Sequence, residues 1–189
     1  MTIYAMTALQ LVAYGQLRPR IAILPTINAS GERDDNLKTQ EKAIADKFLT
    51  EEFSTRRFNV IPAGSVKAAI ARLNIDMSDE EQWKREALFK LGHKLGADFV
   101  LFDVITSNGQ HKSPNVFTVT AEGWVEQKLW LVNVPKRSAA LSARTFRGSS
   151  KHSEFVVGTV TGTKLQKLAV ANGLTDVLKS FFASYPKQP

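Results

Sequence analysis

The chain has 189 residues, of which 43% are hydrophobic and 23% charged, a balance typical of one globular domain. It contains no cysteine, which excludes disulfides, thiol catalysis and cysteine-ligated metals. The formal net charge is +7, and most of the excess lies between residues 128 and 167, where eight basic residues accompany one carboxylate, Glu154. Such a surface attracts nucleic acid, anionic lipid or an acidic partner, or only keeps the protein soluble.

The amino terminus is apolar from Ile3 to Val12 and continues into small residues, Ala13 and Gly15, at the spacing of a signal-peptidase site. The positively charged start of an export signal is missing. We therefore interpret residues 1–19 as an apolar segment that is the remnant of an export signal, with an extra helix packed on the domain as the alternative. Residues 20–185 are predicted to form a single α/β domain, and residues 186–189 a short tail.

The first half of this domain alternates strands with helices. Ile21–Leu24 is apolar and ends at a proline, as a buried strand does. After a loop of turn-forming residues, apolar residues repeat at helical spacing up to about Phe53. Phe58–Ile61 is predicted as a second strand, and residues 64–74 as a short helix capped by Ser65. Strands alternating with helices favour parallel pairing, because each crossover needs a helix to return the chain.

A third helix is predicted from a capping box, in which Glu81 follows Ser78 by three residues. This helix ends at Gly96, a natural C-terminal glycine. The next strand is predicted over residues 97–105 and is apolar enough to be fully buried. Residues 106–115 are polar and are predicted to form a surface loop.

A long strand over Val116–Val134 comes next, and one of its faces is predicted to carry six apolar residues: Phe117, Val119, Ala121, Val125, Leu129 and Leu131. Residues 138–148 form its hairpin partner, and residues 149–162 a polar connection. A last helix runs from about Lys164 to Ser184, with Leu168 among its inward residues. The predicted fold class is α/β, an α+β sandwich, with a mixed sheet, the element order β-α-β-α-α-β-β-β-α and helices packed on the sheet.

Catalytic and cofactor patterns are weak throughout the chain. The loop after the first strand holds one glycine, Gly31, followed by two aspartates, so it does not match a phosphate-binding turn. The three histidines lack the spacing of a zinc-binding helix, and no nucleophile motif is present. Asp98 and Asp103 flank the third strand and are the remaining candidates for acid–base chemistry. We predict no metal and no cofactor, and an enzyme using Asp98 or Asp103 is the least favoured interpretation.

The long strand carries two tryptophans on the face opposite its apolar set. Trp124 and Trp130 alternate there with threonines and charged residues. Two tryptophans among charges are typical of a contact patch, because aromatic and arginine side chains are enriched where proteins bind each other. The alternative is that a helix covers this face, as α/β sheets often require. The sequence leaves these two interpretations equally supported.

Three stretches carry a resemblance to a known group of domains: RIAILPTINASGE, LFKLGHKLGADFVLFDVI and GWVEQKLWLVNVPKRSAALSARTFRG. They resemble the opening strand, the helix-to-strand junction and the long hairpin of a bacterial envelope domain. That domain is shared by the TolB amino-terminal part, CsgG-like lipoproteins and LpoB-like activators. The resemblance implies a non-catalytic protein that binds other envelope proteins or assembles. The chain departs from the pattern at Thr26 and at the turn Pro135–Arg137, and it lacks the acylated cysteine of the lipoprotein members.

The resulting hypothesis is a non-catalytic accessory protein of the periplasm or cell envelope that binds a protein partner or self-associates. The predicted partner-binding residues are Trp124, Lys128, Trp130, Lys136, Arg137, Arg144 and Arg147. The alternative is a cytoplasmic nucleic-acid or anion-binding domain that uses the same basic hairpin, residues 128–151. Such a domain would bind less tightly as salt rises, because counterions are released on binding.

Overall fold

A computed structural model of the chain describes residues 18–77, 85–114, 118–155 and 162–187. The strands within these ranges are β1 (Arg20–Ile23), β2 (Ile27–Asn28), β3 (Asn59–Val60), β4 (Phe99–Pro114), β5 (Thr118–Asn133) and β6 (Ser138–Phe155). The helices are α1 (Asp35–Ser54), α2 (Ala63–Arg72), α3 (Arg85–Leu95) and α4 (Gly162–Ala183). The apolar segment at residues 1–17 and the capping box at residues 78–81 lie outside the described residues, so both interpretations stay predictions.

The described strands form one mixed sheet in the order β3-β1-β4-β5-β6, with β2 paired to β4. The strands β3, β1 and β4 are parallel, because helices return the chain between them. The strands β4, β5 and β6 are antiparallel and much longer than the others. The predicted α/β class and mixed sheet are confirmed, and the two-residue β2 is added to the predicted order.

Helices cover both faces of the sheet and give the domain two cores. On one face α1 and α4 pack against the odd-numbered apolar residues of β4 and β5, among them Leu101, Val125 and Leu129. On the other face α2 and α3 pack against Val100, Phe102 and their neighbours. Of the six residues predicted to share the inward face of the long strand, Ala121, Val125, Leu129 and Leu131 are buried, and the side chains of the other two lie outside the described part of the chain. Alternation along β5 therefore predicted the buried face correctly.

Four local predictions were wrong. Residues 106–114 continue β4 after a bulge between Ile105 and Ser107, and β6 extends to Phe155 where a connection was expected. Both stretches are polar, but each pairs along its length with β5, and this pairing outweighs weak local strand propensity. Ser65 lies inside α2, whose N-cap is Pro62. Leu168 on α4 is 49% exposed and does not face the core.

The helix α4 lies directly on the backbones of β5 and β6. A Cβ atom placed on Gly123 would overlap the backbone of α4 at Leu165 and Gln166. A Cβ on Gly148 would overlap the carbonyl oxygen of Ala169. The two glycines therefore allow the helix to approach the sheet, and this contact holds the long hairpin in place.

Candidate partner-binding surface

The register of β5 and β6 places part of the predicted site together on one face of the hairpin. Lys128 is opposite Thr145, and Glu126 is opposite Arg147. Because side chains alternate along a strand, Trp124, Lys128 and Arg147 all lie on the face away from α4. We call this face of β5 and β6 the hairpin face. Trp124 and Lys128 are half-buried there, and Arg147 is exposed.

Trp124 and Arg147 form the central contact of the hairpin face. The guanidinium carbon of Arg147 lies 4.2 Å from the centroid of the Trp124 ring, within the range of a cation–π interaction. The ring itself lies across the opposite strand, where a Cβ on Gly109 would overlap it. Gly109 thus lets the indole lie flat on the sheet, between β4 below it and Arg147 above.

The two tryptophans have different surroundings. Trp130 packs on the core formed with α2 and α3, and its ring stacks on Phe102 with centroids 5.5 Å apart and an interplanar angle of 28°. Trp124 belongs to neither core of the described residues. The helix-covered alternative therefore applies to Trp130, and the contact patch stays a prediction for Trp124. Helices cover the sheet beneath Trp130, while in the described part of the chain none packs over Trp124.

Lys136 and Arg137 lie in the tight turn between β5 and β6, at the opposite end of β5 from Trp124. Both are exposed, and Arg137 has a φ of 46°. The guanidinium of Arg137 pairs with Glu86 of α3 at 2.8 Å and lies 5.6 Å from the Phe89 ring. These contacts fasten the turn to α3, and they separate Lys136 and Arg137 from the hairpin face.

Arg144 lies on the other side of the hairpin. Its cross-strand partner is Leu129, a fully buried residue on the α4 face. Arg144 is exposed at the edge of the sheet, three residues from Arg147 but directed to the opposite face. The basic residues predicted as one site are thus divided among the hairpin face, the turn and the α4 side.

The hairpin face carries carboxylates as well as cations. Glu122 pairs with Lys151 at 3.3 Å, and Glu126 is the cross-strand partner of Arg147. Five ionisable side chains share this face, with one positive charge in excess: Glu122, Glu126, Lys128, Arg147 and Lys151. The strong positive charge expected from the sequence is therefore balanced locally where the tryptophan lies.

The two aspartates considered for acid–base chemistry do not share a site. Asp98 precedes β4, and its carboxylate accepts a hydrogen bond from the Arg20 amide at 2.7 Å. Asp103 is fully buried on the α1 and α4 side, where the Gln127 amide donates to it at 3.0 Å. Burial raises the pKa of Asp103 to about 7. Asp103 is thus enclosed by the protein, and Asp98 lies apart from it before β4.

Glu41 is a second buried carboxylate, and the sequence analysis missed it. It is on α1, and its side chain accepts hydrogen bonds from Asn28 at 2.7 Å and Asn108 at 2.9 Å. Burial raises the pKa of Glu41, and the two amide donors offset part of that effect. Its position four residues after Leu37 and four before Ala45 was the available signal, because those spacings share one helical face.

A cavity of about 400 Å³ opens at the carboxyl ends of β1 and β3. Asp46 and Lys67 are the charged residues that line it, and Asp103 is not part of its wall. Within the described ranges, no group of three histidines or carboxylates is placed to hold a metal ion. None of the helices described is both long and apolar enough to cross a membrane.

No family model matches the sequence, and a comparison with curated proteins finds no match. A comparison with solved structures finds similar chains. Lipoprotein GNA1162 from Neisseria meningitidis is 20% identical with a TM-score of 0.47, over 88% of this chain and 99% of that chain. The LpoB C-terminal domain from Escherichia coli is 15% identical with a TM-score of 0.43, and the match covers 70% of this chain and 82% of that chain. The PelC dodecamer from Paraburkholderia phytofirmans is 11% identical with a TM-score of 0.39, and the match covers 85% of this chain and 87% of that chain. These solved structures thus include an LpoB domain, one of the groups that the sequence resembles.

Proposed function

We propose that this chain is a non-catalytic accessory protein of the bacterial cell envelope that binds a protein partner through the hairpin face. The observation that carries this proposal is the stacking of exposed Arg147 on half-buried Trp124. Tryptophan and arginine are the side chains most enriched among residues that dominate binding energy. The pair is ordered on a rigid sheet, so little side-chain entropy is lost when a partner covers it.

The charges on the hairpin face favour a protein over a nucleic acid. Binding of nucleic acid depends on many phosphate contacts made by an excess of cations. Here Glu122 and Glu126 lie among the cations and would repel a phosphate backbone. A mixed-charge rim around an aromatic residue is instead typical of protein interfaces. The basic hairpin is therefore assigned to a protein partner, with nucleic acid as the rival.

Site-specific photo-cross-linking in the native host tests this proposal. A photoreactive residue replaces Ser149, which is exposed and directly opposite Trp124. The same residue placed at Lys42, exposed on α1, is the matched control. We expect a cross-linked protein from the envelope fraction with the Ser149 variant and not with the Lys42 variant.

Charge reversal then tests the contact itself. Arg147→Glu should remove the cross-link at position 149, and Arg72→Glu, an equal charge change at an exposed position on α2, should leave it intact. Circular dichroism establishes that both variants fold. A cross-link that persists in folded Arg147→Glu would exclude the hairpin face as the contact. Cross-linked nucleic acid whose yield falls steeply with salt would support the rival instead.

A further inference from the structure

The strand β6 forms one edge of the sheet. It is the last strand in the sheet order, and no strand of the described residues pairs with its outer side. From Arg144 to Phe155 its register with β5 is uninterrupted, and it contains no proline. Natural proteins shorten, bulge or cover such edges, because their free N–H and C=O groups pair readily with another strand. Among the described residues this edge is long, regular and not paired with another strand, so it is a candidate for strand addition.

The helix α4 holds this edge in position. Its backbone lies against Gly148, and the Asn172 amide donates to the carbonyl oxygen of Ser149 at 2.9 Å. A carbonyl that the helix can reach points away from β5. Since backbone groups alternate along a strand, Thr145, Arg147 and Lys151 direct their N–H groups outward together with Ser149. The outer side of β6 therefore presents a defined set of backbone donors with no strand partner among the described residues.

The charge of β6 selects against pairing with a second copy. The strand has three Lys/Arg residues, Arg144, Arg147 and Lys151, and one carboxylate, Glu154, next to its end. Directly paired residues on adjacent strands lie about 5 Å apart, and like charges at that distance destabilise the pair. Two copies joined antiparallel at this edge with Arg144 or Arg147 at the centre would place like charges directly opposite each other. An acidic strand would place carboxylates beside them.

We propose that the β6 edge binds an extended acidic segment of a protein partner as an added strand. This inference rests on the proposed function and specifies the partner's bound element. Backbone hydrogen bonds to the outward groups supply affinity, and carboxylates next to the cations supply selectivity. Arg147 takes part in both contacts, since it stacks on Trp124 and also borders the edge, whereas Arg144 borders the edge from the α4 side.

Binding of synthetic peptides tests the inference on the intact protein. The probe is a peptide of about ten residues composed of Thr, Val and Glu, a length that matches a typical strand. Its control has Lys in place of each Glu. We expect fluorescence anisotropy to show at least a tenfold preference for the Glu peptide, and hydrogen exchange to show new protection at the Thr145, Arg147 and Lys151 amides.

Two variants separate strand addition from binding at the hairpin face. Arg144→Glu should lower the affinity for the Glu peptide at least tenfold. Arg144 borders the edge but lies on the opposite face of the hairpin from Trp124. Arg72→Glu on α2 is the matched control and should have no effect. A partner that covered only the hairpin face would be insensitive to Arg144→Glu.

Four results would overturn the inference. Equal affinity for the two peptides would show that binding is not selective for charge. Unchanged amide hydrogen exchange in β6 would exclude strand pairing. Insensitivity of the Glu peptide to Arg144→Glu would remove the edge contact. Protection of β6 that grows with protein concentration, without peptide, would show pairing between copies. In each case the photo-cross-link at position 149 reports separately on the proposed function, so the inference about the β6 edge can fail while the proposed function stands.

Discussion

Gly148 of β6 lies directly against Gly173 of α4, so that the helix and the sheet meet there without a side chain between them. A Cβ on Gly148 would overlap both the Ala169 carbonyl oxygen and the backbone of Gly173. The relationship fixes how closely α4 approaches the hairpin, and it therefore also fixes the position of the hairpin face and of the β6 edge.

Gly148→Ala should lower the free energy of unfolding by about 1–3 kcal/mol, since the added methyl group must displace the helix. Urea unfolding followed by circular dichroism measures this. The matched control is Gly64→Ala in α2, where a Cβ would meet nothing within 4 Å. Alanine in a helix is favoured over glycine, so this variant should be as stable as the original or up to about 1 kcal/mol more stable. Equal losses in both variants would show that the contact with α4 is not the cause.

The stability of the protein should depend on the ionisation of Asp103. Its pKa rises from an ordinary value of 3.8 to about 7 in the folded state because burial disfavours the charged form. Between these two values the unfolded chain releases a proton that the folded protein keeps. Stability should therefore fall as pH rises from about 4 to about 7 and change little above that range on account of this group.

Asp103→Asn should remove this pH dependence and raise the free energy of unfolding at pH 8 by up to about 4 kcal/mol. The asparagine oxygen still accepts from Gln127 Nε2, and its Nδ2 supplies a donor beside Gln127 Oε1, which has no hydrogen-bond partner within the described residues. Urea unfolding at pH 5 and pH 8 measures the change. Glu41→Gln is the comparison, because the pKa of Glu41 is also raised and its contribution should persist in Asp103→Asn. The prediction is wrong if the free energy of unfolding differs between pH 5 and pH 8 by the same amount in Asp103→Asn as in the original protein.

The two tryptophans should respond in opposite ways to truncation. Trp130→Ala removes a ring stacked on Phe102 within the α2 and α3 core, so it should cost about 2 kcal/mol or more of stability. Trp124→Ala removes a half-buried ring outside both cores and should change stability by about 1 kcal/mol or less. Thermal unfolding of both variants gives this comparison, and cross-linking at position 149 should be lost in Trp124→Ala. A large loss of stability in Trp124→Ala would assign that residue a structural role.

Much of the fold was predictable because its signals are local. Ile21–Leu24 is apolar and ends at Pro25, and the inward residues of β5 alternate from Ala121 to Leu131. The polar continuation of β4 over residues 106–114 was not predictable, since its strand conformation depends on pairing with β5, a partner distant in sequence. Burial of Leu168 was wrongly predicted because helical spacing defines a face but not the neighbour it meets.

The sequence by itself determined the fold class and the buried side of β5, because backbone geometry sets a period of two in strands and 3.6 in helices. Only the tertiary structure decided the fate of the candidate site. Trp124 and Trp130 share one face of one strand, yet helices cover the sheet near Trp130 and, within the described residues, not at Trp124. Arg144 and Arg147 are three apart, and the register with β5 directs them to opposite faces. Such differences depend on where distant helices and strands pack, which no local pattern encodes.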